Sequence, residues 1–360
     1  MPCDFSRRQL FYLAGMGTAG RLAAQQAPAA ESQGLPVPVL PVNSRSAVSL
    51  VKGEERRKIV CEALEAIDDQ IRPVLKRKKY VIIKPNNVST VRQLAATHAD
   101  TVRGILDYLA PRFKGPVVIA ESSAGATLEG FENFGYNKVA TEHRSQRVKL
   151  VDLNQEALYK VIPLVNYDVH PIPVRLAARL MDPDAYTICA AILKTHNAVI
   201  ATLSVKNMTL GAPLHQPPGE TSRWNDKRKY HEGVRVNHYN MMLTAQALKP
   251  YWGATLIDGF EGMEGNGPSS GTPVASRIAI ASTDYIAADR IGVEAMGINP
   301  AWVGYLNFCW QVGLGQYDLA KIDVRGAKLE DVRRQYRLHN DIERQLEWMG
   351  PMRDLPPKLG

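Results

Sequence analysis

The segment YVIIKPNN at residues 80–87 shows the pattern on which the fold is predicted: a short apolar run that ends directly in polar residues. Runs of four or five bulky apolar residues are typical of strands buried on both faces of a parallel sheet. Lys84 and two asparagines follow this run, and the segment VVIAESS at 117–123 repeats the arrangement with Glu121 and two serines. We therefore predict buried strands that carry polar side chains at their carboxyl ends.

Helical patterns alternate with these strands along the chain. Residues 54–71 and 97–109 carry apolar side chains at helical spacing. Further strands are predicted at 148–151, 186–193, 255–257, 277–281 and 322–324, and further helices at 285–296 and 328–348. Strands alternating with helices predict an α/β fold with a largely parallel sheet flanked by helices.

Four regions are predicted along the chain. Residues 1–29 form a signal peptide, 30–79 a linker or irregular strand followed by a helix, 80–326 the main α/β domain, and 327–360 a terminal helix and tail. Within the main domain, residues 212–237 are polar and rich in proline, which predicts a long excursion with the character of a lid.

The N-terminus predicts export. Ser6-Arg7-Arg8-Gln9-Leu10-Phe11 has the arginine pair of a twin-arginine signal, a short apolar segment follows, and Ala27-Pro28-Ala29 is an acceptable cleavage site. We therefore expect a periplasmic or otherwise exported protein that meets the twin-arginine export machinery. The alternative is a basic, disordered tail.

Composition excludes several classes of protein. The chain has 360 residues, 45% of them hydrophobic, which is ordinary for a globular protein and argues against disorder. No apolar run is long enough to predict a transmembrane span in the mature chain. A net charge of +8 spread over this length is not the dense basic surface of a nucleic-acid-binding protein. The four cysteines form no CxxC pair, so an iron–sulfur cluster is not supported.

Polar residues at the ends of six predicted strands indicate a ligand site, because ligands of open parallel sheets bind at the carboxyl ends of strands. The richest segment, residues 193–211, holds two lysines, one histidine and two asparagines among apolar residues. The candidate catalytic residues are His196, Lys206 and His231; the candidate binding residues are Lys84, Asn86, Glu121, Ser122, Lys194 and Asn207.

Acidic residues after the predicted strand at 255–257 are the expected partners of the lysines. Asp258 and Glu264, together with His196 and His231, form a candidate site for a divalent metal, although no tight motif such as HExxH is present. Asp284, which follows another predicted strand, is expected either at the same edge or as a helix cap. A structural ion-pair network is the alternative interpretation of the charged residues.

The chain resembles the domain-of-unknown-function 362 family of uncharacterised prokaryotic proteins. The resemblance covers residues 80–326 and is carried by VIIKPNN (81–87), VVIAESS (117–123), FGY (134–136), VKLVDLN (148–154), ILKTH (192–196), TLSVKNMTLGAP (202–213), KRKYH (227–231), LIDGFEGMEGNGPSSGTP (256–273), ASTDYIAADRIGVEAMG (281–297) and GLG (313–315). Some relatives carry ferredoxin-like cysteine motifs, which this chain lacks. The resemblance implies no settled reaction.

Together these patterns predict a protein that binds, and as an enzyme transforms, a small anionic molecule such as a carboxylate or a phosphate. Lysines would hold the anion and histidines would move protons. A non-catalytic periplasmic protein that binds a ligand or carries a cofactor or metal is the alternative, since it needs the same cations but no acid–base pair.

Overall fold

A ten-stranded mixed sheet forms the centre of the protein in a computed structural model, which describes residues 44–217 and 219–350. The predicted signal peptide of residues 1–29 lies outside the described residues. The strands are β1 (Ser46–Lys52), β2 (Tyr80–Lys84), β3 (Val117–Glu121), β4 (Val148–Asp152), β5 (Tyr159–Val165), β6 (Pro171–Ala177), β7 (Ala185–His196), β8 (Ile200–Thr202), β9 (Trp252–Glu264), β10 (Thr272–Val274), β11 (Ile278–Ser282) and β12 (Ile322–Gly326). Strands β5 and β6 form a separate antiparallel hairpin.

Helices cover both faces of the large sheet. They are α1 (Arg56–Glu65), α2 (Asp68–Leu75), α3 (Ala99–Leu109), α4 (Thr127–Asn133), α5 (Tyr136–Glu142), α6 (Leu153–Glu156), α7 (Ser204–Gly211), α8 (Val234–Leu248), α9 (Tyr285–Ala295), α10 (Gly304–Gln311), α11 (Leu329–Val332) and α12 (Ile342–Leu346). Val81 and Ile83 enter the core under α1 to α5, whereas Ile82 enters the core under α7 to α10. The apolar run Val81-Ile82-Ile83 of β2 fits a strand whose two faces are both buried.

The predicted α/β architecture is confirmed. The main path of the sheet has the strand order β12-β1-β11-β9-β7-β2-β3-β4. Neighbours pair in parallel everywhere along it except at β11, which is antiparallel to both β1 and β9. The carboxyl ends of β2, β3, β4, β7 and β9 therefore meet at one edge of the sheet.

The reversed strand β11 corrects one expectation. Asp284 follows β11 and so lies at the opposite edge, where its carboxylate accepts a hydrogen bond of 2.6 Å from Ser46 Oγ at the start of β1. It also caps α9, accepting from Ile286 N at 3.0 Å. Of the two alternatives expected for Asp284, the structure shows the helix cap. Asp284 does not lie at the edge of the sheet where the lysines are found.

Two predicted helices differ from the structure. Residues 54–71 contain the break between α1 and α2, and Pro73 lies inside α2 instead of ending the helix. The predicted helix at 328–348 is wrong: only α11 and α12 are α-helical there. Tyr336 is nevertheless buried, because its backbone N–H donates to Met296 O and its hydroxyl bonds Ser276 Oγ at 2.9 Å.

The polar excursion at 212–237 is fastened to the hairpin. Residues 212–214 run beside β6, with Leu214 N donating to Arg175 O at 3.1 Å. Asp226 is buried and accepts from Arg175 N at 2.7 Å and from Lys229 Nζ at 2.9 Å. Neither the hairpin nor helix α8, which follows the excursion, was predicted from the sequence. None of the described helices is long and apolar enough to cross a membrane.

Asp289 of α9 fixes the first turn of α7. Its carboxylate accepts from Ser204 N at 2.8 Å, from Ser204 Oγ at 2.5 Å and from Val205 N at 3.0 Å. Burial raises the pKa of Asp289 to about 7, and the hydrogen bonds from Ser204 and Val205 oppose that rise. The carboxylate therefore satisfies backbone N–H groups that a helix start leaves open.

Replacing Asp289 with Asn should destabilise the protein by about 2 kcal/mol, because an amide NH₂ group would face buried donors. Chemical denaturation measures this, with exposed Asp331→Asn as the matched control. Since the folded pKa of Asp289 lies above its unfolded value, its contribution to stability is greatest in acid and falls as the pH rises through about 7. The difference in unfolding free energy between the wild type and Asp289→Asn should therefore shrink as the pH rises. Equal stability of both proteins at every pH would contradict the role given to Asp289.

Candidate functional site

A buried ion pair joins the ends of the neighbouring strands β2 and β3. Lys84 Nζ lies 2.9 Å and 3.1 Å from the two carboxylate oxygens of Glu121, and both side chains are almost fully inaccessible to solvent. Lys84 Nζ also donates to Asn207 Oδ1 at 3.1 Å and to Pro85 O at 3.1 Å. The charge of Lys84 is therefore neutralised within the protein.

Asn86 and Asn207 extend this pair into a network. Asn86 Nδ2 donates to Asn207 Oδ1 at 3.1 Å, and Asn207 Nδ2 donates to Cys189 Sγ at 3.2 Å. Asn86 Oδ1 is buried and has no hydrogen-bond partner among the described residues. The network leaves one buried acceptor, Asn86 Oδ1, unsatisfied beside the ion pair.

Gly211 at the end of α7 lies against Lys84. A Cβ atom at position 211 would lie 2.2 Å from Lys84 Nζ, well inside contact distance. The Gly211 carbonyl accepts a hydrogen bond of 2.6 Å from Ser122 Oγ. Glycine at this position thus lets α7 approach the ion pair closely.

Lys227 is a site residue that sequence reasoning did not select. Its ammonium donates to Ser122 Oγ at 2.7 Å and to Leu210 O at 3.3 Å, so the excursion reaches back to the sheet edge. Burial lowers the pKa of Lys227 to about 7, with Lys84 and Lys206 adding to the effect and Glu121 opposing it. Its place in KRKYH (227–231), one of the segments that carry the family resemblance, was the one sequence signal for Lys227, and that signal did not show which residue of the segment returns to the sheet.

Lys194 lies in β7 and is completely buried. Its amine donates to the backbone carbonyls of Ala95, at 2.9 Å, and Pro268, at 3.3 Å. Burial, and then the charge of Lys206, hold the pKa of Lys194 well below its usual range. These contacts bind Lys194 to the protein itself, so its amine is not available to a ligand in this arrangement.

His196 ends β7 and is 3% exposed. Its Nδ1 accepts a hydrogen bond of 3.0 Å from Ala198 N, which leaves the proton of the neutral ring on Nε2. Burial, followed by the charge of Lys206, holds the pKa of His196 well below its usual range. Ile200, which pairs with His196 across the turn, has φ of 70°. This left-handed conformation costs a β-branched residue on the order of 1 kcal/mol or more.

Lys206 differs from the other buried lysines. Among residues 44–217 and 219–350, no hydrogen-bond acceptor or carboxylate pairs with its ammonium, although the side chain is only 5% exposed. Burial lowers the pKa of Lys206 to about 8, and the nearby charge of Lys84 lowers it further, against the effect of Glu121. The buried part of Lys206 is its side-chain stem: among the described residues, Lys206 Nζ is not one of the unpartnered atoms that are closed to solvent. An ammonium that has no protein partner and keeps access to solvent can reach a ligand, so Lys206 is the strongest indication of a ligand.

His231 lies at the exposed rim of the same cluster. Its Nδ1 is 3.3 Å from Asn237 Nδ2. Partial loss of hydration lowers the pKa of His231, and Lys206 contributes to this shift. The structure therefore brings the candidate catalytic residues His196, Lys206 and His231 within electrostatic reach of one another. Lys206 also connects them to Lys84 and Glu121, whose charges act on its pKa.

Asp258 and Glu264 lie elsewhere, which corrects the expected metal site and the expected pairing with the lysines. Asp258 accepts from Thr101 Oγ1 at 2.5 Å and pairs with Arg56 at 3.3 Å, on the face covered by α1 and α3. Glu264 accepts from Arg337 N at 2.9 Å. In the part of the chain that the structure describes, no group of three or more His, Cys, Asp or Glu side chains could hold a metal ion.

The reason for this difference is the length of β9. The strand continues for six residues beyond Asp258, so Asp258 lies within the strand and in register with Ala279 of β11. Its side chain consequently enters a helix-covered face. The sequence-based prediction had placed the end of this strand at residue 257.

A cleft of about 460 Å³ lies on the β4 side of the cluster. It is lined by residues that follow β3 and β4 and by the polar excursion, including Asp152, His215, Trp224 and Asn225. The charge of Asp152 raises the pKa of Lys227, so the cleft and the cluster are electrostatically linked. The lining does not include Lys206.

Gly211→Ala should break the Lys84–Glu121 ion pair, because the added methyl group takes the place of the ammonium. Losing one partner of a buried pair costs about 3 kcal/mol, which urea denaturation would measure. Gly125→Ala is the matched control, since its Cβ would meet Thr90 at an ordinary 3.4 Å. If Gly211→Ala and Gly125→Ala unfold at the same urea concentration as the wild type, the close contact is not important.

Comparison with known proteins gives a family but no activity. A thylakoid-associated protein from Synechocystis sp. is 31% identical over 132 residues, which are 36% of this chain and 38% of that protein. The chain therefore spans less than two fifths of the curated relative that it matches. A crystal structure of a Thermotoga maritima protein is similar over 59% of this chain and 52% of its own, with 12% identity and a TM-score of 0.38, so the fold assignment does not rest on it. The family model for the domain of unknown function DUF362 matches residues 81–294, which is more than half of the sequence, and the chain therefore belongs to that family.

Proposed function

We propose that this protein binds a small anionic molecule, a carboxylate or a phosphate, at Lys206 and transfers protons to or from it. The observation that carries the proposal is the ammonium of Lys206, which has no partner among the described residues although the side chain is only 5% exposed. Lys84 and Lys194 are by contrast occupied by Glu121 and by two backbone carbonyls. An anion at Lys206 would supply the missing counter-charge.

The sign of the surrounding charge favours an anion. Lys206 lowers the pKa of Lys194, His196, Lys227 and His231, so positive charge at each of these sites opposes positive charge at the others. A bound carboxylate or phosphate would relieve this repulsion, and Coulomb attraction is strong where water is largely excluded.

The lowered pKa of Lys206 supports a role in proton transfer. The pKa of Lys206, at about 8, is close to the pH of most compartments, where a group can both give and take protons. His196 has a fixed N–H on Nε2, and His231 lies at the exposed rim, where it can exchange protons with water. Lys206 and His231 would thus act as the acid and base, and His196 as a hydrogen-bond donor.

A non-catalytic binding protein is the second candidate, and His196 is the observation that favours it. A pKa held well below the usual range makes His196 a weak base, although its Nε2 proton remains a good hydrogen-bond donor. A site with one fixed donor and one unpaired cation would suffice to hold an anion. Turnover of a bound compound would decide between the two functions.

Lys206→Met should weaken anion binding at least tenfold, because it removes the charge that faces the anion, and should leave the ligand-free protein at least as stable, because no ion pair within the described residues is lost. The measurement is the melting temperature in phosphate, succinate or pyruvate, against chloride at equal ionic strength. Lys58→Met is the matched control, since the side chain of Lys58 is 67% exposed. The proposal fails if Lys206→Met keeps the full shift that any of these anions produces in the wild type.

We also infer export through the twin-arginine route, from the Arg7-Arg8 pair and the cleavage site near Ala29. Replacing both arginines with lysine should retain the chain in the cytoplasm. Lysine keeps the positive charge, but charge alone would not restore recognition of the arginine pair. Cell fractionation followed by intact-mass measurement gives both the compartment and the cleavage position. Unchanged export of the double variant would contradict the inference.

A further inference from the structure

The four lysines of the cluster are not equivalent in how their amines are held. Lys84 is bound by a carboxylate, Lys194 by two carbonyls, and Lys227 by a hydroxyl and a carbonyl. Only Lys206, among the described members of the cluster, has an amine that makes no such contact. Its nitrogen is therefore free to point at a ligand and to offer it a lone pair once a proton has left.

We propose that Lys206 is a nucleophile that captures a small 2-oxo carboxylate as an imine. This inference rests on the proposed anion site and names the class of compound that the site takes. The carboxylate of this ligand would pair with the positive charge of the cluster. The amine of Lys206 would attack the neighbouring carbonyl carbon. Amines activated by desolvation and by nearby cations are the lysines that form such imines in enzymes.

The chemistry balances without any oxidant or reductant. The lone pair of Lys206 Nζ forms a bond to the carbonyl carbon, and the C=O π electrons move to oxygen. A proton passes from nitrogen to that oxygen, which leaves a carbinolamine. The hydroxyl group then takes a second proton and departs as water, and the nitrogen lone pair completes the C=N bond.

Residues of the cluster match the needs of these steps. The pKa of Lys206, at about 8, leaves a useful fraction of free amine near neutral pH, whereas an ordinary lysine is almost fully protonated there. The Nε2 proton of His196 can hydrogen-bond the carbonyl oxygen, and the exposed His231 can carry protons between the site and water. The protonated imine keeps one positive charge in place, so the carboxylate remains bound after the reaction.

The positive charge of the imine would activate the captured ligand for a further reaction. A protonated imine withdraws electrons from the adjoining carbon, which makes a proton or a carboxylate there easier to remove. A phosphate or a simple dicarboxylate would bind at the same place without forming this bond. The 2-oxo group therefore distinguishes a ligand that reacts with Lys206 from one that only binds at the site.

The experiment is reduction of the protein with sodium cyanoborohydride in the presence of pyruvate, glyoxylate or 2-oxoglutarate at neutral pH. Hydride addition converts an imine into a stable secondary amine, which intact-mass measurement counts and peptide mapping locates. We expect one adduct per chain, on Lys206, with at least one of the three compounds. Phosphate or succinate added in excess should suppress it by occupying the site.

Two variants sharpen the test. Lys206→Arg keeps the positive charge but cannot form an imine, so it should retain a melting shift with phosphate and lose the adduct. Lys58→Arg, on the exposed surface, should behave as the wild type in both measurements. The imine is contradicted if no compound modifies Lys206, or if adducts are spread over exposed lysines. The phosphate-induced melting shift separately decides the anion site, so the two claims can fail independently.

Discussion

The ion pair between Lys84 and Glu121 is the interaction on which the site depends. Glu121 is the one carboxylate that acts favourably on each of Lys84, Lys194, Lys206 and Lys227, and Lys84 holds both of its oxygens. One carboxylate cannot neutralise all of these lysines in a nearly dry environment, and Asp152 adds a favourable charge at Lys227. The protein meets this problem by binding Lys194 and Lys227 through uncharged oxygens, and it leaves Lys206 without a partner.

The direction of the strands determines where these charges meet. Because β2 and β3 are adjacent and parallel, Lys84 and Glu121 meet where these two strands end. Strand β7 continues for seven residues past Cys189, the partner of Lys84, and ends at His196. Helix α7 returns to that edge after β8, and the buried carboxylate of Asp289 fixes its first turn. Lys206 is therefore positioned by a packed helix, and not by a loop, which favours a defined orientation of its amine.

Much of this arrangement could be predicted from the sequence, since apolar runs that end in Lys84 and Glu121 already indicate strand ends. The strand order could not be read from those runs, and β11, which runs in the opposite direction, takes Asp284 away from the site. Asp258 was misplaced because its strand continues well beyond it, and Lys227 was missed because only tertiary packing returns it to Ser122. The predicted C-terminal helix failed because Tyr336 and Arg337 bond distant strands and loops in place of their own turn.

The proposed function requires that Lys206 be an unpaired amine that an anion can reach. Nuclear magnetic resonance titration of the lysine ε-methylene signals, with Lys206→Arg for assignment, measures its pKa directly. We expect a pKa near 8 in the ligand-free protein and a clear rise at saturating phosphate, because a bound anion favours the charged form. An ordinary lysine pKa of about 10.4 that no anion changes would contradict the account.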